Sequence, residues 1–129
     1  MKWVTVFLMS ICSTLVYADS LLETSTEWLK LLDARAYRDG WNAAAPLLQS
    51  QVTEYEWATS VQAVRNPLGT LTARHLIKST DHHELAAAPD GQYRILTFNS
   101  SFENKATATE TVVLSKVNGQ WLPAGYFVK

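Results

Sequence analysis

The chain has 129 residues, of which 47% are hydrophobic and 18% are charged, and its formal net charge is −1. This length fits one folded domain. The near-neutral charge excludes two classes of protein that depend on basic surfaces: those that bind nucleic acid through a basic patch and those that attach to anionic membranes through a polybasic segment.

The first residues have the pattern of a secretory signal peptide. Lys2 precedes an apolar run from Trp3 to Val16, and Val16-Tyr17-Ala18 places small residues at the recognition positions for cleavage after Ala18. The run is shorter than the 20 or so apolar residues of a membrane-spanning helix. We therefore predict a signal peptide over residues 1–18, an exported domain over residues 19–129, and no stable membrane insertion once the signal peptide is removed. An uncleaved N-terminal anchor is the alternative.

Cleavage after Ala18 also removes Cys12, the single cysteine. The exported domain then has no disulfide, no thiol nucleophile and no thiolate metal ligand, so its fold rests on a hydrophobic core. Ten basic and twelve acidic residues remain. We expect a location in the periplasm or outside the cell.

Helical periodicity dominates the first half of the chain. Apolar residues at helical spacing predict a first helix over Leu21 to Tyr37, which Asp39-Gly40 should end because glycine tolerates a left-handed C-terminal cap. A second helix is expected from Trp41 to Gln51. Pro46 lacks an N–H, so this helix must either kink at that residue or begin late.

The third helix carries the clearest start signal. Thr53 and Glu56 form a capping-box pattern, and Trp57, Val61, Val64 and Leu68 follow at helical spacing. Asn66-Pro67 and Gly69 should end this helix.

Strands are expected in the second half, over Thr70–Thr80, Tyr93–Phe102, Thr107–Val117 and Gln120–Val128. Ala88-Pro89-Asp90-Gly91 predicts a turn between the first two strands. Helices followed by strands indicate an α+β fold rather than an alternating α/β fold. We expect about three N-terminal helices packed on a curved, four-stranded antiparallel meander.

Asn118-Gly119 predicts a two-residue hairpin turn of type I′, which fixes a register for the last two strands. One face of the hairpin should carry the pairs Val117/Gln120, Ser115/Leu122, Val113/Ala124 and Thr111/Tyr126. The opposite face should carry Lys116/Trp121, Leu114/Pro123, Val112/Gly125 and Glu110/Phe127. Both faces are then substantially apolar, and three helices can cover one face only. The sheet either curls around a cavity or docks something on its second face.

Segments spread over the predicted exported domain resemble the bacterial exported family named domain of unknown function 4019. They are Trp28 to Tyr37, Trp41, Ala43 to Leu47, Trp57, Arg65 to Gly69, Arg74, Ala88 to Tyr93, Glu110 to Val112, Gly119 to Trp121 and Ala124 to Phe127. The resemblance implies export in bacteria and a compact α+β domain similar to the cystatin-like and NTF2-like folds. It implies no activity and supplies no catalytic residues.

Asp81-His82-His83-Glu84 is the densest polar cluster in the sequence. Adjacent imidazoles on a strand point to opposite faces and cannot both reach one ion, whereas zinc ligands are usually well spaced along the chain. On a turn the two imidazoles could meet, but we predict a solvated loop or strand end that joins the first two strands, with no metal site and no cofactor.

A second group of polar residues is expected where the third helix meets the sheet. Glu110 falls among apolar strand residues, and Arg65 and Arg74 flank the break at Pro67–Gly69 and can reach it. Together with Tyr126, they are candidates either for orienting a ligand in a sheet pocket or for a structural ion pair. No catalytic residue is predicted.

The predicted hairpin also supplies two candidate interface residues, Trp121 and Phe127. The expected function is a non-catalytic periplasmic binding or protein-interaction module, whose partner is a second copy in a homodimer or another envelope protein, and not nucleic acid. The alternatives are a small enzyme or a small-ligand carrier that uses a pocket of the curved sheet. An enzyme would need a buried Glu110 or Asp33 with a histidine nearby.

Overall fold

The computed structural model describes the backbone from Ser13 to Lys129 and the side chains from Ser20 onward. Most of the predicted signal peptide, residues 1–12, lies outside the described residues. Helices come first and an antiparallel sheet follows, as expected for an α+β fold. Among the described residues, no helix is long and apolar enough to cross a membrane.

In the part of the chain that the structure describes, four helices precede the sheet: α1 (Ser13–Asp33), α2 (Tyr37–Asn42), α3 (Pro46–Gln51) and α4 (Glu54–Arg65). A short 3₁₀ turn, Asn66–Leu68, follows α4. The sheet contains β1 (Leu71–His82), β2 (Tyr93–Phe102), β3 (Lys105–Val117) and β4 (Gln120–Val128) in the order β1-β2-β3-β4. It is therefore a meander with β1 and β4 at its two edges.

The prediction that the first helix ends at Tyr37 is wrong. Helix α1 ends at Asp33, and Arg35 takes a left-handed conformation with φ 61° that turns the chain into α2. Gly40 lies inside α2 and does not cap α1. A Cβ on Gly40 would lie 3.0 Å from the Leu32 side chain, and the Gly40 carbonyl accepts a hydrogen bond from Trp28 Nε1 at 2.8 Å. Gly40 thus allows α1 and α2 to approach closely.

The second predicted helix is divided into two. Helix α2 ends at Asn42 and α3 begins at Pro46, because proline suits the first helical position and not the interior. Of the two alternatives left open at Pro46, a kink or a late start, the structure shows the late start. The capping box is confirmed: the Thr53 side chain accepts from the Glu56 N–H at 3.1 Å, and the Glu56 carboxylate accepts from the Thr53 N–H at 3.4 Å.

The hydrophobic core lies between the helices and one face of the sheet. Alternate residues of β2 and β3 are buried there, among them Leu96, Phe98, Val112 and Leu114. The opposite, outer face is more polar than the sequence predicted, because Thr97, Asn99, Ser101, Thr109, Thr111 and Ser115 occupy much of it.

The register of the β3–β4 hairpin is as predicted only near the turn. Val117 pairs with Gln120 and Ser115 with Leu122, but Val113 pairs with Gly125, because Ala124 is an extra residue in β4. This bulge moves every later residue of β4 to the other face. The predicted pairs Val113/Ala124, Thr111/Tyr126, Val112/Gly125 and Glu110/Phe127 are therefore wrong. Tyr126 pairs with Val112 on the core face and Phe127 with Thr111 on the outer face.

Candidate functional site

Six polar side chains from two helices and all four strands meet on the core face of the sheet. At their centre Glu110, in β3, has no solvent-accessible surface. The others are Asp33, the last residue of α1, Arg65, the last residue of α4, and Arg74, Ser100 and Tyr126 on β1, β2 and β4. We call these six residues the Glu110 cluster.

Arg74 joins the two carboxylates of the cluster. Its Nε lies 2.8 Å from Glu110 Oε1, and its Nη1 and Nη2 lie 2.8 Å from the two carboxylate oxygens of Asp33. Such two-point pairing is the strongest arrangement that a guanidinium and a carboxylate can form. Arg74 therefore ties the end of α1 to β3 across an edge strand.

Arg65 completes the charge balance of the cluster. Its Nη2 donates to Asp33 Oδ1 at 2.8 Å, and its Nη1 lies 3.9 Å from Glu110 Oε2. The guanidinium carbon also lies 4.9 Å from the centre of the Phe102 ring, within the range of a cation–π contact. Two guanidinium groups thus face two carboxylates, as a buried set of charges requires.

Two hydroxyl groups donate further hydrogen bonds to the carboxylate oxygens of Glu110. Ser100 Oγ donates to Oε1 and Tyr126 Oη donates to Oε2, each at 2.5 Å. Tyr126 reaches Glu110 because the bulge at Ala124 places it on the core face. The carboxylate of Glu110 therefore accepts from Arg74, Ser100 and Tyr126 within the protein.

The pKa values of the cluster follow from these contacts. Burial disfavours the charged form of Asp33, but hydrogen bonds from Arg74 and Arg65 outweigh it, so the pKa of Asp33 lies below its usual value. Burial, together with the adjacent Glu110 carboxylate, raises the pKa of Tyr126 far above its usual value. Asp33 is held ionised and Tyr126 is held neutral at neutral pH.

This geometry does not suit acid–base catalysis. A general acid or base must be able to reach a substrate atom, directly or through one water molecule. Glu110 and Arg65 are buried, and both carboxylates are held by the two arginines. None of the three histidines is a member of the cluster. The cluster links helices to strands and presents no poised proton donor or acceptor.

An open groove lies away from the cluster, between the middle and C-terminal part of α1 (residues 20–31) and the start of β4. Its volume is about 450 Å³. Its walls are largely apolar, with two acidic side chains on α1, and they include Glu23, Glu27, Trp28, Leu31, Trp121 and Pro123. We call it the α1–β4 groove. A volume of this size lies within the range of small-molecule binding sites.

The family model described as a protein of unknown function, DUF4019, matches residues 24–126. The chain belongs to the DUF4019 family. No curated protein and no solved structure matches the chain.

All six residues of the Glu110 cluster lie within the DUF4019 match. Several segments that carry the resemblance in the sequence also supply the cluster: the Arg65 to Gly69 segment, Arg74, the Glu110 to Val112 segment and the segment that ends at Tyr126 and Phe127. Glu110, Arg65, Arg74 and Tyr126 were candidates from the sequence, and the structure brings them together. Asp33, considered in the sequence only as an acid–base candidate or a helix-end charge, and Ser100 were not predicted as members.

The predicted interface residues Trp121 and Phe127 lie on opposite faces of the sheet in this DUF4019 protein. Trp121 is half-buried, packs against the core, and has the Lys116 ammonium 5.7 Å from its ring centre. Phe127 lies on the outer face with 64% of its surface exposed. The one-residue shift at Ala124 separates them.

The Asp81–Glu84 segment gathers no metal ligands. Asp81 pairs with Arg94 at 2.9 Å, and His82 Nε2 lies 2.8 Å from Thr80 Oγ1. Within residues 20–129, whose side chains the structure describes, no group of three or more histidine, cysteine, aspartate or glutamate residues is arranged to hold a metal ion.

Proposed function

We propose that this protein is an exported, non-catalytic module that binds another protein of the cell envelope. The observation that carries the proposal is the closure of the Glu110 cluster. Its charged groups neutralise one another. Glu110, Arg65 and Arg74 are almost fully withdrawn from solvent, and Asp33, 21% exposed, is held by both arginines, so these groups serve the fold and leave no reactive group in a pocket.

Export is supported by the signal-peptide pattern of residues 1–18. The DUF4019 match begins at residue 24, after the expected cleavage site, so the matched region falls inside the expected exported domain. The absence of cysteine after Cys12 means that this domain needs no disulfide to fold in an oxidising compartment.

The α1–β4 groove is the binding surface in this proposal. Trp28, Leu31 and Pro123 provide apolar walls, and Glu23 and Glu27 add negative charge on one side. Glu27 also pairs with exposed Lys30 at 2.8 Å. This combination fits a segment of a partner protein that inserts an apolar side chain and carries a lysine or arginine next to it.

A small-ligand carrier is the second candidate, because the groove volume of about 450 Å³ suits a small molecule. A small enzyme is less well supported. The acid–base residues that it would need are paired inside the Glu110 cluster, and no histidine lies among them.

Site-specific photo-crosslinking in the producing cell tests the proposal. A photoreactive residue at position 23 should give a protein adduct of defined mass, whereas the same residue at Gln62, an exposed site on α4, should not. Charge reversal by Glu27→Lys should weaken the adduct, and Glu84→Lys, at another exposed glutamate, should leave it unchanged. Native mass spectrometry of the purified protein adds the second readout.

The possible results separate the candidates. A specific protein adduct from position 23 supports the interaction module. A small molecule that stays bound in native spectra, without a protein adduct, would favour the carrier. If neither is found, the groove is not a binding surface and the proposal fails.

A further inference from the structure

The two edges of the sheet are protected from strand pairing to different degrees. Strand β1 carries charged side chains, including Arg74, Lys78 and Asp81, and is bulged at Ile77. Charges and bulges on an edge strand discourage pairing with another chain. The first half of β4 is covered instead, since the N–H of Ala45 donates to the Pro123 carbonyl at 2.7 Å. The second half of β4, from Gly125 to Val128, carries no charge and no proline.

The backbone of this second half can form further hydrogen bonds. Thr109 and Lys129 exchange both of their backbone hydrogen bonds. Because bonded and non-bonded pairs alternate along an antiparallel ladder, Val128 and Tyr126 are non-bonded partners of Glu110 and Val112. Their N–H and C=O groups point away from β3, and no backbone bond from another described element reaches them. They form a short, open sheet edge.

The side chains of this edge are uncharged from Gly125 to Val128, and the exposed Lys129 follows them. On the core side, an apolar notch of about 240 Å³ lies between α4 and β4, lined in part by Ser60, Val61, Val64 and Val128. On the outer side Phe127 is 64% exposed, and on the core side Val64 of α4 is also exposed. Gly125 to Val128 carry no charge, and an antiparallel arrangement keeps the exposed Lys129 of each copy at opposite ends of the seam, so two identical copies can approach without strong repulsion.

We propose that the second half of β4 pairs with the same segment of a second copy around a two-fold axis. With the axis at Phe127, Tyr126 of each copy lies opposite Val128 of the other, and both residues exchange their outward-facing backbone bonds. The two Phe127 side chains then face each other at a non-bonded position on the outer face, where cross-strand side chains are closest. The two four-stranded sheets become one continuous sheet.

This register is the two-fold arrangement in which the outward-facing backbone groups of both Tyr126 and Val128, the residues after the bulge, form hydrogen bonds. An axis one residue earlier would place Val128 opposite the bulged Ala124. The proposal goes beyond the proposed function and does not depend on it, since the α1–β4 groove lies elsewhere on the molecule.

Light scattering and sedimentation velocity of the purified protein over a range of concentrations provide the test. A short seam predicts a reversible dimer, whose mass rises with concentration. Phe127→Lys and Phe127→Glu should each weaken dimerisation about tenfold or more, because like charges then face each other across the axis. Ile77→Lys is the matched control: Ile77 is 61% exposed on the opposite edge, and its change should leave the dimer intact.

Mixing the two Phe127 variants makes the test specific for the two-fold axis. Lysine in one copy then faces glutamate in the other, so the mixture should form a heterodimer at concentrations at which neither variant alone forms a dimer. Val128→Pro is a second probe, because it removes an outward N–H that makes no bond within the sheet. A monomeric wild-type protein, a dimer insensitive to Phe127→Lys, or a mixture that stays monomeric would each overturn the proposal.

Discussion

Tyr126 Oη donates a hydrogen bond to a carboxylate oxygen of Glu110, and the single extra residue Ala124 in β4 makes this contact possible. Without the bulge, the strict alternation of a strand would place Tyr126 on the outer face and Phe127 beside Glu110. The bulge therefore fixes two features together: the completion of a buried polar cluster and the exposure of Phe127 near an open sheet edge.

Replacement of Glu110 tests whether the cluster is structural. Glu110→Gln keeps the shape of the side chain but removes the charge that balances Arg74 and Arg65. We expect the free energy of unfolding to fall by about 3–5 kcal/mol, because breaking a buried ion pair leaves its partner uncompensated. Urea denaturation of the purified protein measures this change.

The control for Glu110→Gln is Glu27→Gln, which removes an exposed ion pair with Lys30 and should leave stability unchanged. If Glu110→Gln had no effect on stability, the buried carboxylate would not be needed for the fold. The ligand-binding interpretation of Glu110 would then regain support.

The ion pairs of Asp33 should make the stability of the fold depend on acid pH. Its folded pKa lies below its usual value near 3.8, so its contribution is present above that value and is lost as the pH falls through the folded pKa. Asp33→Asn should be less stable than the wild type at neutral pH, and the difference should shrink below about pH 4. The control is Asp90→Asn, at an exposed site before β2, whose stability should differ from that of the wild type by the same small amount at every pH. A difference that stays constant with pH would contradict the ionised Asp33 bridge.

The hydrogen bond from Tyr126 to Glu110 should make the stability of the fold depend on alkaline pH. Tyr126→Phe leaves one oxygen of Glu110 without its hydroxyl donor and should cost about 1–3 kcal/mol near neutral pH. The folded pKa of Tyr126 is raised, so its contribution is present below the usual value near 10 and is lost at higher pH. The difference between wild type and Tyr126→Phe should therefore shrink above about pH 10. Exposed Tyr55 supplies the control, Tyr55→Phe, and equal effects at both sites would exclude a special contact at Tyr126.

Local signals were sufficient for part of the fold. The Thr53–Glu56 capping box and the ends of β2 and β4 each depend on a few neighbouring residues, and each was predicted correctly. Pro46 was predicted to disturb the second helix, and the structure shows a helix that starts there. The bulge at Ala124 was not predicted, because both registers place apolar residues on both faces of the hairpin. What distinguishes them is the fit of Tyr126 to Glu110, a contact between strands that periodicity does not show.

The cluster was only partly predictable for a similar reason. Glu110 stood out as a charge within an apolar strand, and Arg65 and Arg74 were the cations nearest to the helix–sheet junction. Asp33 joined them because α1 ends there, and that end depends on the left-handed turn at Arg35. Ser100 is one of many hydroxyl residues in β2, and its burial follows from the register alone.

The hairpin turn gives the last prediction. Asn118 and Gly119 have φ values of 51° and 80°, as a type I′ turn requires, and nothing lies within 4 Å of a Cβ added to Gly119. Gly119→Ala should therefore lower the unfolding free energy by about 1–2 kcal/mol through backbone strain alone, with an unchanged denaturant slope. Gly91→Ala is the matched control: its added Cβ meets the Tyr93 ring at 3.6 Å, an ordinary contact, and its φ lies outside the left-handed region. If both changes had the same effect, the left-handed conformation of Gly119 would not be what the turn requires.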